Sequence, residues 1–353
     1  MNIYDEYRGK KILITGHTGF KGAWLVAILD SLGAHILGYA LAPEFNHCLY
    51  NEIDGNKKCH SITGDIRDKS KLTQVIKDFE PDYIFHLAAQ ALVIRSYTIP
   101  SETFEVNTVG TANVLEAVNL LKKKCTIIAI TTDKVYENKE WEHPYKEDDR
   151  LGGYDPYSAS KACTELVISS FRNSFFNLSE YKKHQKAIIS VRAGNVIGGG
   201  DYSENRIIPD VIRGLSKGDE IVLRSPNSIR PWQHVLEPLF AYLKLGLHIE
   251  KDPEKYSIAF NIGPNLDDIL TVEELVQRAI KTWGKGKYVT TGEKKVHEAG
   301  LLKLDISLIK DLLGWKPVYS SEEAIDKTIQ WYKESNKNDF TKQQIEDYLD
   351  EIS

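Results

Sequence analysis

The string Tyr157-Ser-Ala-Ser-Lys161 sets a phenol and an ammonium four residues apart. On a helix that spacing brings both side chains to one face. An ammonium beside a phenol favours the phenolate and draws a group of intrinsic pKa ~10 towards neutrality. Tyr157 is therefore a candidate base for the proton of a hydroxyl whose carbon gives up hydride. A second string, Thr131-Thr132-Asp133-Lys134-Val135-Tyr136, follows an apolar run. Thr132 can donate a hydrogen bond to the same hydroxyl. Asp133 and Lys134 then add two ionisable groups. Oxidising a carbon to a ketone acidifies the neighbouring C–H, and losing water across the next bond needs one base and one acid. To accept a proton Lys134 has to be neutral, which calls for burial or a nearby cation such as Lys161. A third string, Gly16-His-Thr18-Gly19-Phe20-Lys-Gly22, has the spacing G-x-x-G-x-x-G. Glycines at a strand-to-helix turn let backbone amides close on a pyrophosphate. About 20 residues further on, where an acidic group often holds a ribose, Ile36-Leu-Gly-Tyr-Ala-Leu41 has none.

These strings need elements to hold them. Short β-branched runs alternate with amphipathic stretches through the first half, the pattern of a doubly wound parallel sheet in an α/β fold. Strands are predicted at Lys11–Thr15, His35–Leu37, Tyr83–Leu87, Thr126–Thr131 and Ile188–Arg192, and helices at 22–32, 68–79, 101–122 and 157–174. Ligands sit at the carboxyl edge of such sheets, so the site should be built from Gly16–Gly22, Leu87–Gln90, Thr131–Tyr136 and the segment after Arg192. Residues 1–193 are read as a Rossmann-type dinucleotide domain. Residues 194–353, opening with Gly198-Gly-Gly-Asp201, are read as a smaller α/β substrate-binding region, within which the chain can cross back to the first domain. The tail, 321–353, reads as a polar, peripheral helix with one packing face at Trp331 and Tyr332.

A net charge of −5 over 353 residues argues against nucleic acid or an anionic membrane as partner. The N-terminus lacks a signal-peptide core, and no run approaches the roughly 18 apolar residues of a membrane span, which points to the cytoplasm. Cys48, Cys59, Cys125 and Cys163 have neither C-x-x-C spacing nor clustered histidines, so no metal site is expected.

The glycine turn, Thr132-Asp-Lys134, Gly152-Gly-Tyr-Asp-Pro-Tyr-Ser158, Arg192-Ala-Gly-Asn-Val-Ile-Gly-Gly-Gly-Asp201 and Ile229-Arg-Pro-Trp-Gln-His-Val-Leu-Glu-Pro238 resemble a known family over nearly the whole chain. It is that of the extended short-chain dehydrogenases acting on nucleotide sugars, and within it the CDP-glucose 4,6-dehydratases. The resemblance implies NAD as cofactor and CDP-glucose as substrate. It also implies oxidation at C4, loss of water across C5–C6, and hydride return to C6. It makes Asp133 the acid and Lys134 the base, where dTDP-glucose dehydratases carry Asp-Glu; Val135 departs from the Cys usual there. It assigns cofactor contacts to the glycine turn, Asp65, Ile66, Leu87, Ala88, Ala89, Gln90, Tyr157 and Lys161, with Asn107 as a structural amide. Asn195 resembles a phosphate-binding position. Arg206 and Arg230 can meet a diphosphate with forked hydrogen bonds. The segments His297–Ala299 and Leu302–Asp305 would line the nucleotide. Helices 101–122 and 157–174 resemble a four-helix dimer interface, so a homodimer or dimer of dimers is expected. A 4-epimerase would share NAD, Thr132, Tyr157 and Lys161 but has no use for Asp133-Lys134, and a non-catalytic NAD sensor has none for Tyr157 and Lys161.

Overall fold

The computed structural model describes residues 2–223, 225–291 and 302–352; His297–Ala299 lie outside the described residues. The strands are β1 (Lys11–Thr15), β2 (His35–Ala40), β3 (His60–Thr63), β4 (Tyr83–His86), β5 (Cys125–Ile130), β6 (Lys186–Ala193), β7 (Val196–Ile197), β8 (Ile221–Leu223), β9 (Ile229–Arg230), β10 (Gln233–His234), β11 (Ala259–Ile262), β12 (Leu270–Thr271) and β13 (Tyr288–Thr290). Seven of them form one sheet in the order β11-β6-β5-β4-β1-β2-β3, paired in parallel throughout. Strand order reverses between β1 and β4, which opens a crevice at their carboxyl ends. Every residue of β4, β5 and β6 is buried, as parallel strands covered by helices on both faces must be. Separate apolar clusters fill the two faces, and a third lies among the C-terminal helices.

All five predicted strands are present. β3 and β11 are additional, and their place at the two edges of the sheet explains their weak patterns. The predicted helix 101–122 is three pieces: Pro100–Phe104, a π-turn at Glu105–Val109, and Gly110–Asn119. The π-turn frees the Asn107 carbonyl from the regular ladder, and it accepts the Thr111 and Thr164 hydroxyls at 2.7 and 2.9 Å. The helix Pro156–Ser174 starts where Asp155 accepts the Ser158 amide and Pro156 takes the first turn.

Beyond β6 the chain builds three small strand pairs, β7 with β10, β9 with β12 and β8 with β13. Helices Ile207–Lys217, Val272–Trp283 and Ser321–Lys333 surround the third core. The chain also returns to the large sheet, because β11 pairs with β6 and the helix Leu236–Lys251 packs on β5 and β6. The tail is less peripheral than its composition suggests. Trp331 is fully buried against Gly199, where a Cβ would come within 2.0 Å of the indole, and the Tyr332 hydroxyl donates to the Asp201 carbonyl at 2.6 Å. Among the described residues no helix is long and apolar enough to cross a membrane.

Candidate active site

The glycine turn runs from the end of β1 into the helix Phe20–Ser31. Gly16 has φ +77° and lies on the Leu87–Ala88 backbone, so a Cβ there would come within 2.8 Å of the Ala88 nitrogen. A Cβ on Gly22 would lie 2.1 Å from the Gly16 carbonyl oxygen. Gly19 differs: its Cβ would meet only that oxygen, at 3.4 Å. Gly19 is also the N-cap, and no side chain caps the helix. An open helix N-terminus of bare amides fits a pyrophosphate, so the turn suits a dinucleotide. Thr18 ties the turn to the chain after β2 by donating to the Leu41 carbonyl at 2.9 Å.

The neighbouring loops are fixed by Asn107. Its side chain accepts the Gln90 amide at 2.8 Å and donates to the Gln90 carbonyl at 3.0 Å and to Ser160 at 2.8 Å. One amide thus joins the Leu87–Gln90 loop to the Tyr157 helix. Ile66 is buried beside Gly110. The Asp65 carboxylate is clasped by Arg67, which holds it below the usual carboxylate range.

Thr132, Asp133, Tyr157 and Lys161 come together, all buried, where β5 ends against the helix Pro156–Ser174. The Thr132 hydroxyl donates to the Asp133 carboxylate at 2.9 Å. Burial pushes the Asp133 carboxyl up, against Lys134, Thr132 and Arg230, which favour its charge; a carboxyl held up in this way suits a proton donor. Burial also raises the Tyr157 phenol, to about 12, against a hydrogen bond with Thr132 and the charge of Arg206. The pairing expected from Y-x-x-x-K takes a different form here. The Lys161 ammonium donates to the Ile130 carbonyl at 2.9 Å, and burial lowers its pKa to about 8 with Glu165 opposing. Lys134 stands half-buried on the short 3-10 turn Asp133–Val135, and Val135 is buried in the core.

Arg206 and Arg230 approach this cluster from the C-terminal half. Arg206 pairs with Asp201 at 2.9 Å, and Arg230 donates to the Ile229 carbonyl at 2.9 Å. The Asn195 carbonyl accepts the Gln233 amide at 3.0 Å, which fixes Asn195 between β6 and β7. A cleft at the ends of β6 and β11 is lined by Gly194, Pro231, Gly263, Asn265, Lys303 and Leu304. Gly194 borders it and the Asp133 carboxylate at once.

Three residues are missing from the sequence reading. Lys21, between Gly19 and Gly22 in the first turn of the helix, donates to the Tyr242 hydroxyl at 3.2 Å, and burial and Lys161 lower its pKa to about 7. A lysine in an otherwise apolar helix was the available signal. Glu165 and Arg192 form a buried ion pair at 3.0 Å beneath the site. Burial opposes the charge on Glu165, yet Arg192, Thr131 and Ser190 hold its carboxyl below the usual range. Their signals were a carboxylate one turn after Lys161 and an arginine closing an apolar strand.

The family described as GDP-mannose 4,6 dehydratase matches residues 13–328. A CDP-glucose 4,6-dehydratase of Salmonella typhimurium is 42% identical over 348 residues, covering 97% of each chain. Among solved structures, a dTDP-glucose 4,6-dehydratase from Bacillus anthracis in complex with NAD superposes with TM-score 0.74 at 24% identity, covering 96% of this chain and 100% of that one. An epimerase from Methanothermobacter thermautotrophicus superposes with TM-score 0.78 at 23% identity, covering 94% of each chain. Both structures share the fold with this chain.

Proposed function

The chain belongs to the GDP-mannose 4,6-dehydratase family, and from that premise we propose that it is an NAD-dependent CDP-glucose 4,6-dehydratase. The observation that carries this reading is the Asp133–Lys134 turn, set against Thr132 and Tyr157 at the carboxyl edge of the sheet. Hydride exchange at C4 needs only Thr132, Tyr157 and Lys161. A buried carboxyl beside them serves a reaction with a second bond to break.

Bound NAD supplies the acceptor for hydride from C4 and the donor that returns it to C6. The glycine turn, Leu87–Gln90 and the floor around Asp65 and Ile66 hold it, with Asn107 fixing the loop. Tyr157 takes the C4 hydroxyl proton while Thr132 orients that hydroxyl. Deprotonating a phenol this buried requires positive charge near it, which Arg206 provides. Lys134 removes the acidified C5 proton, and Asp133 delivers a proton to the departing C6 hydroxyl. Arg206, Arg230 and Asn195 take the diphosphate in the substrate lobe, residues 194–353. The enzyme acts in the cytoplasm as a homodimer or dimer of dimers. Exposed Phe104 and Val109 on the helical segments around 101–119, Leu166 on Pro156–Ser174 and Phe175 at its C-cap supply apolar surface for the dimer contact.

One isotope experiment tests the reading. CDP-glucose deuterated at C4 should yield product deuterated at C6. Unlabelled substrate in deuterated water should gain deuterium at C5. Proton NMR reads both positions. Deuterium retained at C4 would instead indicate an epimerase, and deuterium lost to solvent would sink the intramolecular hydride return.

A further inference from the structure

Tyr157, Lys161 and Glu165 follow one another at intervals of four along one helix, so all three face the same way. On the dehydratase reading Tyr157 meets the reacting sugar, and Lys161 stands behind it, donating to the Ile130 carbonyl. Glu165 lies deeper, where its carboxylate accepts the Thr131 hydroxyl at 2.5 Å, the Ser190 hydroxyl at 2.9 Å and Arg192 Nη2 at 3.0 Å. Arg192 in turn donates through Nη1 to the Tyr136 hydroxyl and to the Glu147 carbonyl, each at 2.8 Å. The Tyr136 hydroxyl passes on to Asn261 of β11 at 2.7 Å. Thr131 immediately precedes Thr132, and Tyr136 immediately follows the 3-10 turn of Asp133, Lys134 and Val135. The carboxylate therefore grips the entrance of the turn and the guanidinium its exit.

Both members are all but inaccessible, at 3% and 5% exposure. A buried ion pair gives little net stability against an apolar pair of the same shape, whereas breaking it by removing one partner is strongly destabilising. A fold needing only stability has no reason to choose charges here. Position is what they supply: charge-assisted bonds are short and directional, and these run from one helix, directly and through Arg192 of β6, to both ends of one turn.

We propose that Glu165 and Arg192 are positioning residues that hold the Asp133–Lys134 turn at a fixed distance from Tyr157 and Lys161. The pair thereby aligns the elimination half of the reaction with the oxidation half. This rests on the dehydratase reading. Oxidation at C4 uses groups on the helix itself and at the end of β5. Elimination across C5–C6 uses the turn, which the pair ties to the helix at both ends, beyond the Thr132–Tyr157 hydrogen bond at its cap. Loosening the strut should therefore harm the second step and spare the first, since misplacement of about 1 Å can cost on the order of 10²-fold in rate.

Two variants test this. Glu165→Gln with Arg192→Met removes both charges together, and Tyr136→Phe releases only the exit of the turn while leaving the ion pair and the Glu147 contact in place. After rapid mixing with CDP-glucose, Tyr136→Phe should form NADH within about threefold of the wild-type rate and consume it at least about tenfold more slowly, so NADH absorbance accumulates; the double variant, which also removes the carboxylate that supports the Lys161 charge, should slow the second step further. Amide hydrogen exchange without substrate should speed up at residues 132–136 and stay unchanged at 158–165. If the double variant does not fold, Tyr136→Phe decides. Equal slowing of both steps, or unchanged exchange at 132–136, overturns the proposal. If the wild type itself leaves CDP-glucose untouched, the dehydratase reading has failed, and the exchange measurement still judges the strut.

Discussion

Alanine at Gly22 and alanine at Gly19 should have different consequences, although both glycines belong to one turn. At Gly22 the new Cβ would lie 2.1 Å from the Gly16 oxygen, 2.8 Å from the His17 Cα and 2.9 Å from the Gly16 carbonyl carbon. All three are backbone atoms, so no side chain can swing aside. The helix N-terminus must retreat by about 1 Å or more, a displacement that costs on the order of 10²-fold in rate when it reaches a reacting centre. Overpacking of this kind also costs about 1–3 kcal/mol of stability. At Gly19 the backbone is extended, with φ −76° and ψ 169°, and the Cβ meets only one oxygen at 3.4 Å. Alanine fits there without strain, and the expected stability loss is under about 1 kcal/mol. Its methyl group would instead stand at the N-cap of the helix whose open amides suit a pyrophosphate. Gly22→Ala should therefore lower both the melting temperature and NAD affinity. Gly19→Ala should weaken NAD by about tenfold or more and melt within a few degrees of wild type. Thermal melts without cofactor, paired with NAD titration by fluorescence, separate the two. A Gly22→Ala protein that melts and binds as wild type would refute the steric reasoning. So would a Gly19→Ala protein that is the less stable of the pair.

Lys134→Met should oxidise substrate at C4 but not eliminate water, so NADH forms and persists in stopped flow; turnover near the wild-type rate would remove Lys134 as the base. Tyr157→Phe should lose about 10²–10⁴-fold in kcat with an unchanged circular dichroism spectrum, and a loss below about tenfold would assign the C4 proton to another group. Glu237, fully buried, has its carboxyl raised to about 7 by burial, against bonds from the Tyr319 and Val318 amides and the Tyr348 hydroxyl. Because the folded value lies above the unfolded one, its contribution is fully present below about pH 4.3 and is lost as pH rises through about 7. Glu237→Gln should abolish that part of the slope, so its melting temperature should gain on wild type between pH 5 and 8; parallel curves would show that Glu237 does not titrate there.

The parts legible in the sequence are those with a local signature. β1, β4, β5 and β6 are apolar runs because both faces are covered, and the glycine turn and Tyr157-x-x-x-Lys161 carry fixed spacings. β3 was hidden because His60-Ser-Ile-Thr63 is a half-exposed edge with a single aliphatic side chain. β11 was hidden because its partner β6 lies almost 70 residues earlier, and pairing over that span leaves no trace in a short window. The π-turn keeps helical periodicity, so nothing in 101–122 announces it. Within the site, the ionisable groups were visible but not their couplings. Lys161 turning to the Ile130 carbonyl, and Glu165 reaching Arg192 across to β6, depend on three-dimensional neighbours. Identities can be read along the chain; the distances that set their charges cannot.

The pairing of β11 with β6 has a consequence for anyone who would cut the chain in two. β6 is eight residues long, wholly buried and rich in Ile and Val. Its outer hydrogen-bonding side is closed by Ala259–Ile262 alone, running from Ser190↔Ala259 to Ala193↔Ile262. A fragment ending near residue 193 would keep the entire glycine turn and the Tyr157 helix, yet it would display that side as a bare apolar template. Such edges recruit strands from other molecules. The excised cofactor half should therefore precipitate or self-associate on expression, and a peptide spanning residues 253–266 supplied in trans should raise its yield.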